Sequence, residues 1–310
     1  LATPRSMDDL ATALPAFAPP LLDAAVVLLV NAGVVFPCDG EGRIAEESNA
    51  ALRQWEFHDL FFHTRSRSGR HEYPLGGTYR FKGELPHAPT LKAAMSAERT
   101  ALYRPAADAA GPDFFAVLEA RRSRRTQGET PITLPRLGEF LWHSARVQTH
   151  IPADPQRPGS YESTLRPYPG GGAMHELELY LTVTRCAGLT PGLYHYDPLA
   201  HALERLADLG VKQQTLVQVA MNSSGLKQPP DVLITLAARF GRLAWKYEGV
   251  AYALTQKNTG GLYQQMYLVA TALGLAPCAL GAGNSDTFAQ ATDLDYFTET
   301  SVGEFLLSAG

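Results

Sequence analysis

An α+β fold with a mixed or antiparallel sheet is what this sequence predicts, and three observations predict it. Leu177, Leu179, Leu181 and Val183 alternate with other residues, the period of a strand that packs one face on a core. Gly192–Tyr196 and Ala202–Leu206 flank Asp197-Pro198, the pattern of a β-hairpin, which pairs strands antiparallel. Gly249–Leu273 reads as one long helix, and helices alternate with strands through the second half of the chain.

Taken in order, residues 1–105 form an N-terminal module and linker, and residues 106–310 a second domain. Met7–Leu14 and Pro20–Val30 carry helical apolar spacing, and Asn31-Ala32-Gly33 is a helix stop. Val34–Phe36 with the acidic turn Asp39–Gly42 reads as a short hairpin, so the module is winged-helix-like. Few basic residues precede Arg43, which points it to a peptide or protein partner rather than nucleic acid. Gln54–His63 reads as a buried aromatic helix, with His58 and His63 as hydrogen-bonded core or interface residues rather than metal ligands. Arg65, Arg67 and Arg70 either meet a phosphate or carboxylate or lie on a solvated turn. Prolines from Leu85 to Pro112 mark a linker or a wrapping arm.

The second domain's first element begins near Asp113, with an amphipathic Phe114–Glu119. Thr130 or Thr133 precedes a helix over Leu134–Trp142 whose Leu137, Phe140 and Leu141 face a core. Val211–Val219 is predicted as a helix and Asp231–Ala237 as a buried strand; Leu275–Gly283 and Val302–Leu307 supply the last strands.

Composition narrows the function. With 45% hydrophobic residues over 310, the chain has ample material for a core. A net charge of −4, from 27 Lys+Arg against 31 Asp+Glu, gives no basic surface for nucleic acid. The longest apolar run, Ala24–Phe36, contains Asn31 and is too short to span a bilayer. Cys38, Cys186 and Cys278 are widely spaced and odd in number, fitting neither a disulfide framework nor a zinc site. No metal is expected, and with no signal-like opening the expected location is the reducing cytoplasm. The first residue is Leu1, as in a trimmed chain or a piece of a longer one.

Four stretches carry candidate chemistry. Arg166-Pro-Tyr-Pro-Gly-Gly-Gly-Ala-Met-His-Glu176 places Gly170, Gly171 and Gly172 after Pro169, a bare loop that either cradles a flat or anionic ligand or simply turns into the next strand. Arg121-Arg-Ser-Arg-Arg125 offers guanidinium forks and a hydroxyl; extended, it points Arg121, Ser123 and Arg125 the same way, towards phosphate or towards water. Lys246-Tyr247 sets an ammonium beside a phenol, an acid–base candidate for removing a C–H proton if a helix end or loop lets the two converge, and otherwise a surface lysine and a packed tyrosine. Leu280-Gly281-Ala282-Gly283 at a strand end is a second place where backbone can reach a flat ring. Neither a GxGxxG following a strand nor a P-loop is present, so a dinucleotide-binding or nucleotide triphosphatase fold is not expected.

In order and spacing these motifs resemble the SagB-type dehydrogenases, the flavin-dependent azoline oxidases of the nitroreductase superfamily. The resemblance covers Phe114–Leu307, and Trp55–Asp59 with Phe62–Arg67 also resembles that family's segment before the catalytic domain. It implies a nitroreductase-like FMN-binding fold, a sheet flanked by helices. It places Arg121, Ser123 and Arg125 on the FMN phosphate, Pro169–Gly172 along the ring, and Leu280, Gly281 and Ala282 at its reactive edge. A homodimer with each flavin at the subunit interface is implied as well. Lys246-Tyr247 falls where azoline oxidases carry their Lys-Tyr pair, so Tyr247, tuned by Lys246, takes the Cα proton of a thiazoline or oxazoline. The azoline is carried on a peptide, ribosomal or non-ribosomal, or tethered to a carrier protein, and oxygen reoxidises the flavin. Two other expectations stand beside this one. The chain is another FMN oxidoreductase, such as an NAD(P)H-dependent nitro or quinone reductase, or a dehydrogenase of a different biosynthetic intermediate. Alternatively it is a non-catalytic docking subunit.

Overall fold

The computed structural model describes residues 3–106, 110–157 and 160–310. The chain divides into two compact units, one ending at His71 and one beginning at Glu72. The boundary therefore lies well before residue 105, and the physical reason is visible in the proline-rich arm. Thr90 and Leu102 are buried, and Arg99–Ala101 pairs as a strand with the sheet, so the arm wraps the second unit rather than linking to it. Residues 107–109 of that arm lie outside the described residues.

The first unit holds helices α1 (Met7–Ala13), α2 (Pro19–Asn31), α3 (Ala45–Ser48) and α4 (Phe57–Arg65). A capping box starts α1: the Ser6 hydroxyl accepts from Asp9 N–H, and the Asp9 carboxylate accepts from Ser6 N–H. The hairpin closes between Cys38 and Ile44, around the acidic turn rather than at Val34. Helix α4 is not buried: Phe57 is 75% and Phe61 61% exposed. Four short helices cannot cover a continuous aromatic face, and Phe57 and Phe61 stack on each other instead.

The second unit runs β1 (Arg99–Ala101), α5 (Phe114–Ala120), α6 (Leu134–Ala145), β2 (Thr149–Ile151), β3 (Ser163–Leu165), β4 (Leu177–Val183), β5 (Gly192–Asp197), β6 (Ala202–Asp208), α7 (Val211–Ser224), β7 (Val232–Arg239), α8 (Phe240–Lys246), α9 (Ala251–Ala272), β8 (Ala276–Leu280), α10 (Ser285–Thr292) and β9 (Glu299–Ser308). Among the described residues the main sheet has seven strands in the order β1-β6-β5-β4-β7-β9-β8, antiparallel at every pairing. β2 and β3 form a separate antiparallel pair.

Strand β4 is buried along its whole length, where alternation suggests a strand with one solvated face. Helices cover both sides of the sheet. Leu177, Leu179, Leu181 and Val183 pack with Phe140 of α6 and Leu262 and Met266 of α9. Tyr180, on the other face, packs with Leu216 and Val217 of α7 and Phe288 of α10. Between the apolar side chains of that second face sits Glu178, bonded to His195 (3.1 Å) and Arg239 (3.3 Å), so the buried charge is paired. Thr133 caps α6, and Leu137, Phe140 and Leu141 face the core as their spacing predicts. Among the described residues no helix is long and apolar enough to cross a membrane.

Candidate active site

The glycine loop runs from Arg166 into β4 through a chain of left-handed backbone: φ is 62° at Gly172, 55° at Ala173 and 42° at His175. Ala173 and His175 are non-glycine residues at positive φ on either side of Met174, which stays in the right-handed region; both are strained, and the surroundings hold them there. Arg242, fully buried in α8, donates through Nε to the Met174 carbonyl (2.7 Å) and through Nη1 to the Ala88 carbonyl (2.6 Å). Asn258 of α9 accepts from Gly171 N–H (3.1 Å) and donates to the Glu176 carboxylate. Burial, with Arg166 and Arg242 nearby, drives His175 down to about 3, so its imidazole is neutral.

Lys246 is the last residue of α8, and Tyr247 is its C-cap in an extended conformation. The helix end lets the two heads turn the same way, as adjacent residues inside a helix cannot. Both arrive at the glycine loop. A Cβ on Gly172 would stand 2.8 Å from Lys246 Nζ and would collide with the Tyr247 hydroxyl. Glycine is required there twice over, for its positive φ and for the space. Lys246 Nζ lies 5.1 Å from the Tyr247 ring centroid and donates to the Tyr161 hydroxyl at 2.5 Å. Burial lowers the basicity of Lys246, but the Tyr161 hydrogen bond and the phenols of Tyr247, Tyr161 and Tyr79 outweigh it, and the net shift is upward. The ammonium is the stable form.

The arginine run lies elsewhere. After α5 ends, the extended chain passes β8, where Arg124 N–H donates to the Pro277 carbonyl (2.8 Å). The Arg121 guanidinium stands 5.3 Å from the ring of Tyr267 of α9, and the Ser123 and Tyr267 hydroxyls are 2.7 Å apart. Tyr267 also accepts from Ala279 N–H (2.8 Å), tying the run to the strand that ends at Leu280. Just beyond lies a cavity of about 410 Å³ lined by Gln256, Gly260, Tyr263, Gly281, Ala282 and Glu304. Burial raises the Glu304 carboxyl above its usual range.

The predicted residues thus gather into two groups. Pro169–Gly172 packs on α9 at Leu254, Asn258 and Gly261. The arginine run and Leu280–Gly283 meet α9 at Gln256, Gly260, Tyr263 and Tyr267. At 3.6 residues per turn these two sets point about 160° apart. One helix separates the glycine loop and its Lys-Tyr pair from the arginine run and the Leu280 segment.

Tyr161, Asn258, Arg242 and Tyr267 take part without having been marked by any local pattern. Tyr161 is 85 residues from Lys246, and a tyrosine in a polar loop carries no signal of its partner. Among the described residues no cluster of His, Cys, Asp and Glu is arranged to hold a metal ion.

The family is decided by the match of residues 118–305 to the nitroreductase family model. The chain belongs to the nitroreductase family. Residues 1–72 match a second model, that of the cyanobactin oxidase ThcOx. Among curated relatives, the chain is 30% identical over 166 residues to the candidate nitroreductase MJ1384 of Methanocaldococcus jannaschii, covering 54% of this chain and 77% of that one. It is 32% identical over 143 residues to the microcin B17-processing protein McbC of Escherichia coli, covering 44% of this chain and 51% of McbC, about half its length. Among solved structures, a candidate nitroreductase from Ralstonia eutropha superposes with a TM-score of 0.54 at 21% identity, covering 77% of this chain and 99% of that one. That likeness bears on the fold. Family membership makes this nitroreductase-fold chain an oxidoreductase, and the ThcOx and McbC matches support the SagB-type branch of the superfamily.

Proposed function

We propose that this chain is an FMN-dependent azoline dehydrogenase that oxidises thiazoline or oxazoline rings to thiazoles or oxazoles in peptide natural-product biosynthesis. It works as a cytoplasmic homodimer on an azoline carried by a peptide or a carrier protein. The observation that carries this reading is the seating of Lys246 and Tyr247 in the space left by the absent side chain of Gly172. A cationic lysine and a phenol brought together on a bare backbone loop form an acid–base pair facing a flat ligand. The names of two matched proteins point the same way: McbC processes microcin B17, and ThcOx is a cyanobactin oxidase.

The residues fit FMN. Arg121, Ser123 and Arg125 are a donor set for a phosphate, and Tyr267 braces the first two. Gly281 opens backbone onto the cavity beyond β8. FMN held there would supply a two-electron hydride acceptor for the azoline, with oxygen as the terminal oxidant. Tyr247 takes the Cα proton, and the Lys246 charge 5.1 Å from its ring stabilises the oxyanion that this requires. The separation of the two groups by α9 supports the homodimer: a cofactor touching both draws the glycine loop from one subunit and the arginine run from the other.

The test is a visible spectrum followed by anaerobic mixing with a thiazoline-bearing peptide and, separately, a thiazoline thioester of a carrier mimic. An oxidised-flavin spectrum that bleaches on mixing, and no longer does so in Tyr247→Phe or Lys246→Ala, is the expected result. Bleaching by NADPH alone, with no response to either azoline, replaces this reading with that of a reductase. A colourless protein that cannot be reconstituted with FMN removes both.

A further inference from the structure

We propose that Tyr161 is a positioning residue for the acid–base pair, its hydroxyl locking Lys246 to the backbone of the glycine loop. This rests on the reading of Lys246 and Tyr247 as that pair.

A tyrosine hydroxyl has one proton to give and two lone pairs to accept with. Here the proton goes to the Gly172 carbonyl at 2.9 Å, and a lone pair receives the Lys246 ammonium at 2.5 Å. One oxygen therefore ties the charge to the very residue whose missing Cβ admits both heads of the pair. The arrangement matters because a lysine carries its charge on a four-carbon flexible stem, and the ammonium goes where its hydrogen bonds send it. With Tyr161 in place, Nζ stands 4.6 Å from the Tyr161 ring, 5.1 Å from that of Tyr247 and 5.6 Å from that of Tyr79. Three aromatic faces surround the cation, an environment that holds it charged and aimed.

Other charged groups nearby are turned elsewhere or stand farther out. Glu248, next in sequence, is engaged by Thr78 (3.0 Å) and Arg80 (3.8 Å). Lys82, Asp154 and Arg157 line the cavity of about 690 Å³ at whose wall Tyr161 and Gly172 lie together. That cavity is bordered by Ile151 of β2 and Ser163 of β3 and ends at Tyr161 and Gly172, which themselves touch the pair, so it offers an azoline-bearing segment a route towards it. Tyr161 is thus the point at which the route, the glycine loop and the charge meet.

The experiment compares wild type with Tyr161→Phe in the full, FMN-loaded chain, following kcat and KM for a thiazoline peptide against pH. It is read beside the flavin spectrum, thermal melting and a titration of the Lys246 Nζ NMR signal in FMN-free protein. Loss of the anchor is expected to lower kcat by about ten- to hundredfold, a part of what general acid–base catalysis contributes, with KM within about twofold. The alkaline limb of the kcat profile and the Nζ titration are expected to move together to lower pH, because the hydrogen bond that holds the ammonium charged is gone. Unchanged melting and flavin spectrum then separate positioning from a structural role. If Tyr161→Phe keeps the kcat and the pH profile of wild type while Lys246→Ala and Tyr247→Phe are inactive, Tyr161 is a bystander and the proposal is overturned. If all three variants turn over like wild type, the acid–base reading fails with it. The Nζ titration stands independently of turnover, and a signal unmoved by Tyr161→Phe in a folded variant also overturns the proposal.

Discussion

Asn258 donates to both carboxylate oxygens of Glu176, at 3.0 and 3.1 Å, in a buried site between α9 and the start of β4. Its own carbonyl oxygen accepts from Gly171 N–H, so one amide supports both ends of the glycine loop. Burial raises the Glu176 carboxyl, which makes this support the condition for keeping the group inside. Asn258→Leu removes the amide and strands a buried carboxyl and a loop N–H. The expected loss is about 2–4 kcal/mol, one or two buried groups left unsatisfied, read as a lower urea midpoint with an unchanged m-value. A variant as stable as wild type sinks this account of the loop.

Gly172→Ala tests the space rather than the support. The added methyl meets Lys246 Nζ and the Tyr247 hydroxyl and sits at a φ of 62°. An alanine held at positive φ costs about 1–2 kcal/mol, a modest loss of melting temperature. Displacing the pair costs far more in turnover, expected to fall at least about hundredfold in line with the loss of general acid–base catalysis. A variant that melts like wild type and turns over like wild type shows that the heads of the pair need not lie at Gly172.

His175 makes acid sensitivity local. Its folded pKa of about 3 lies below the ordinary value of 6.5, because burial comes first and the charges of Arg166 and Arg242 add to it. A depressed folded value means stability present above pH 6.5 and lost as pH falls towards 3, the unfolded chain binding a proton that the folded chain refuses. Its Nδ1 is buried with no hydrogen-bond partner among the described residues, and the backbone hydrogen bond with Thr164 offsets only part of the cost of a charge. Asparagine tolerates the φ of 42° and does not titrate. In urea melts at pH 7 and pH 4, His175→Asn is expected to lose less stability between the two than wild type does. Equal losses rule out His175 as a source of the acid slope.

Much of this was legible in the residues themselves, and the reason for each miss is physical. Alternation marked β4, because Leu177, Leu179, Leu181 and Val183 share one face. It did not show that the other face is covered too, since Glu178 and Tyr180 read as solvated until His195, Arg239 and α10 are seen to enclose them. The aromatic stretch around Phe57 read as core because hydrophobicity alone does not say whether a unit is large enough to bury it. Lys246-Tyr247 was visible as a dipeptide, but its convergence depended on α8 ending between the two residues. Tyr161 and Asn258 were invisible because their meaning lies in partners brought together across 85 and 82 positions of chain.

The division of the predicted residues by α9 yields a test that needs no structure of the complex. Suppose each flavin draws Lys246 and Tyr247 from one subunit and Arg121 and Arg125 from the other. Tyr247→Phe homodimers then lack the base at both sites, and Arg121→Ala/Arg125→Ala homodimers lack phosphate contacts at both. Each is expected to be inactive or flavin-poor. A mixed dimer differs: one site collects both defects, and the other is assembled wholly from unmutated halves. Co-expressing the two chains with separate affinity tags and purifying through both tags isolates that dimer. Its expected activity is about half of wild type per dimer, and about a quarter for an unfractionated equal mixture, since half of random dimers are mixed and each holds one intact site. If all of these residues serve a flavin within the same subunit, every site in the mixed dimer carries one defect and activity stays at the level of the parents. That result removes the shared site and assigns each flavin to the residues of a single subunit.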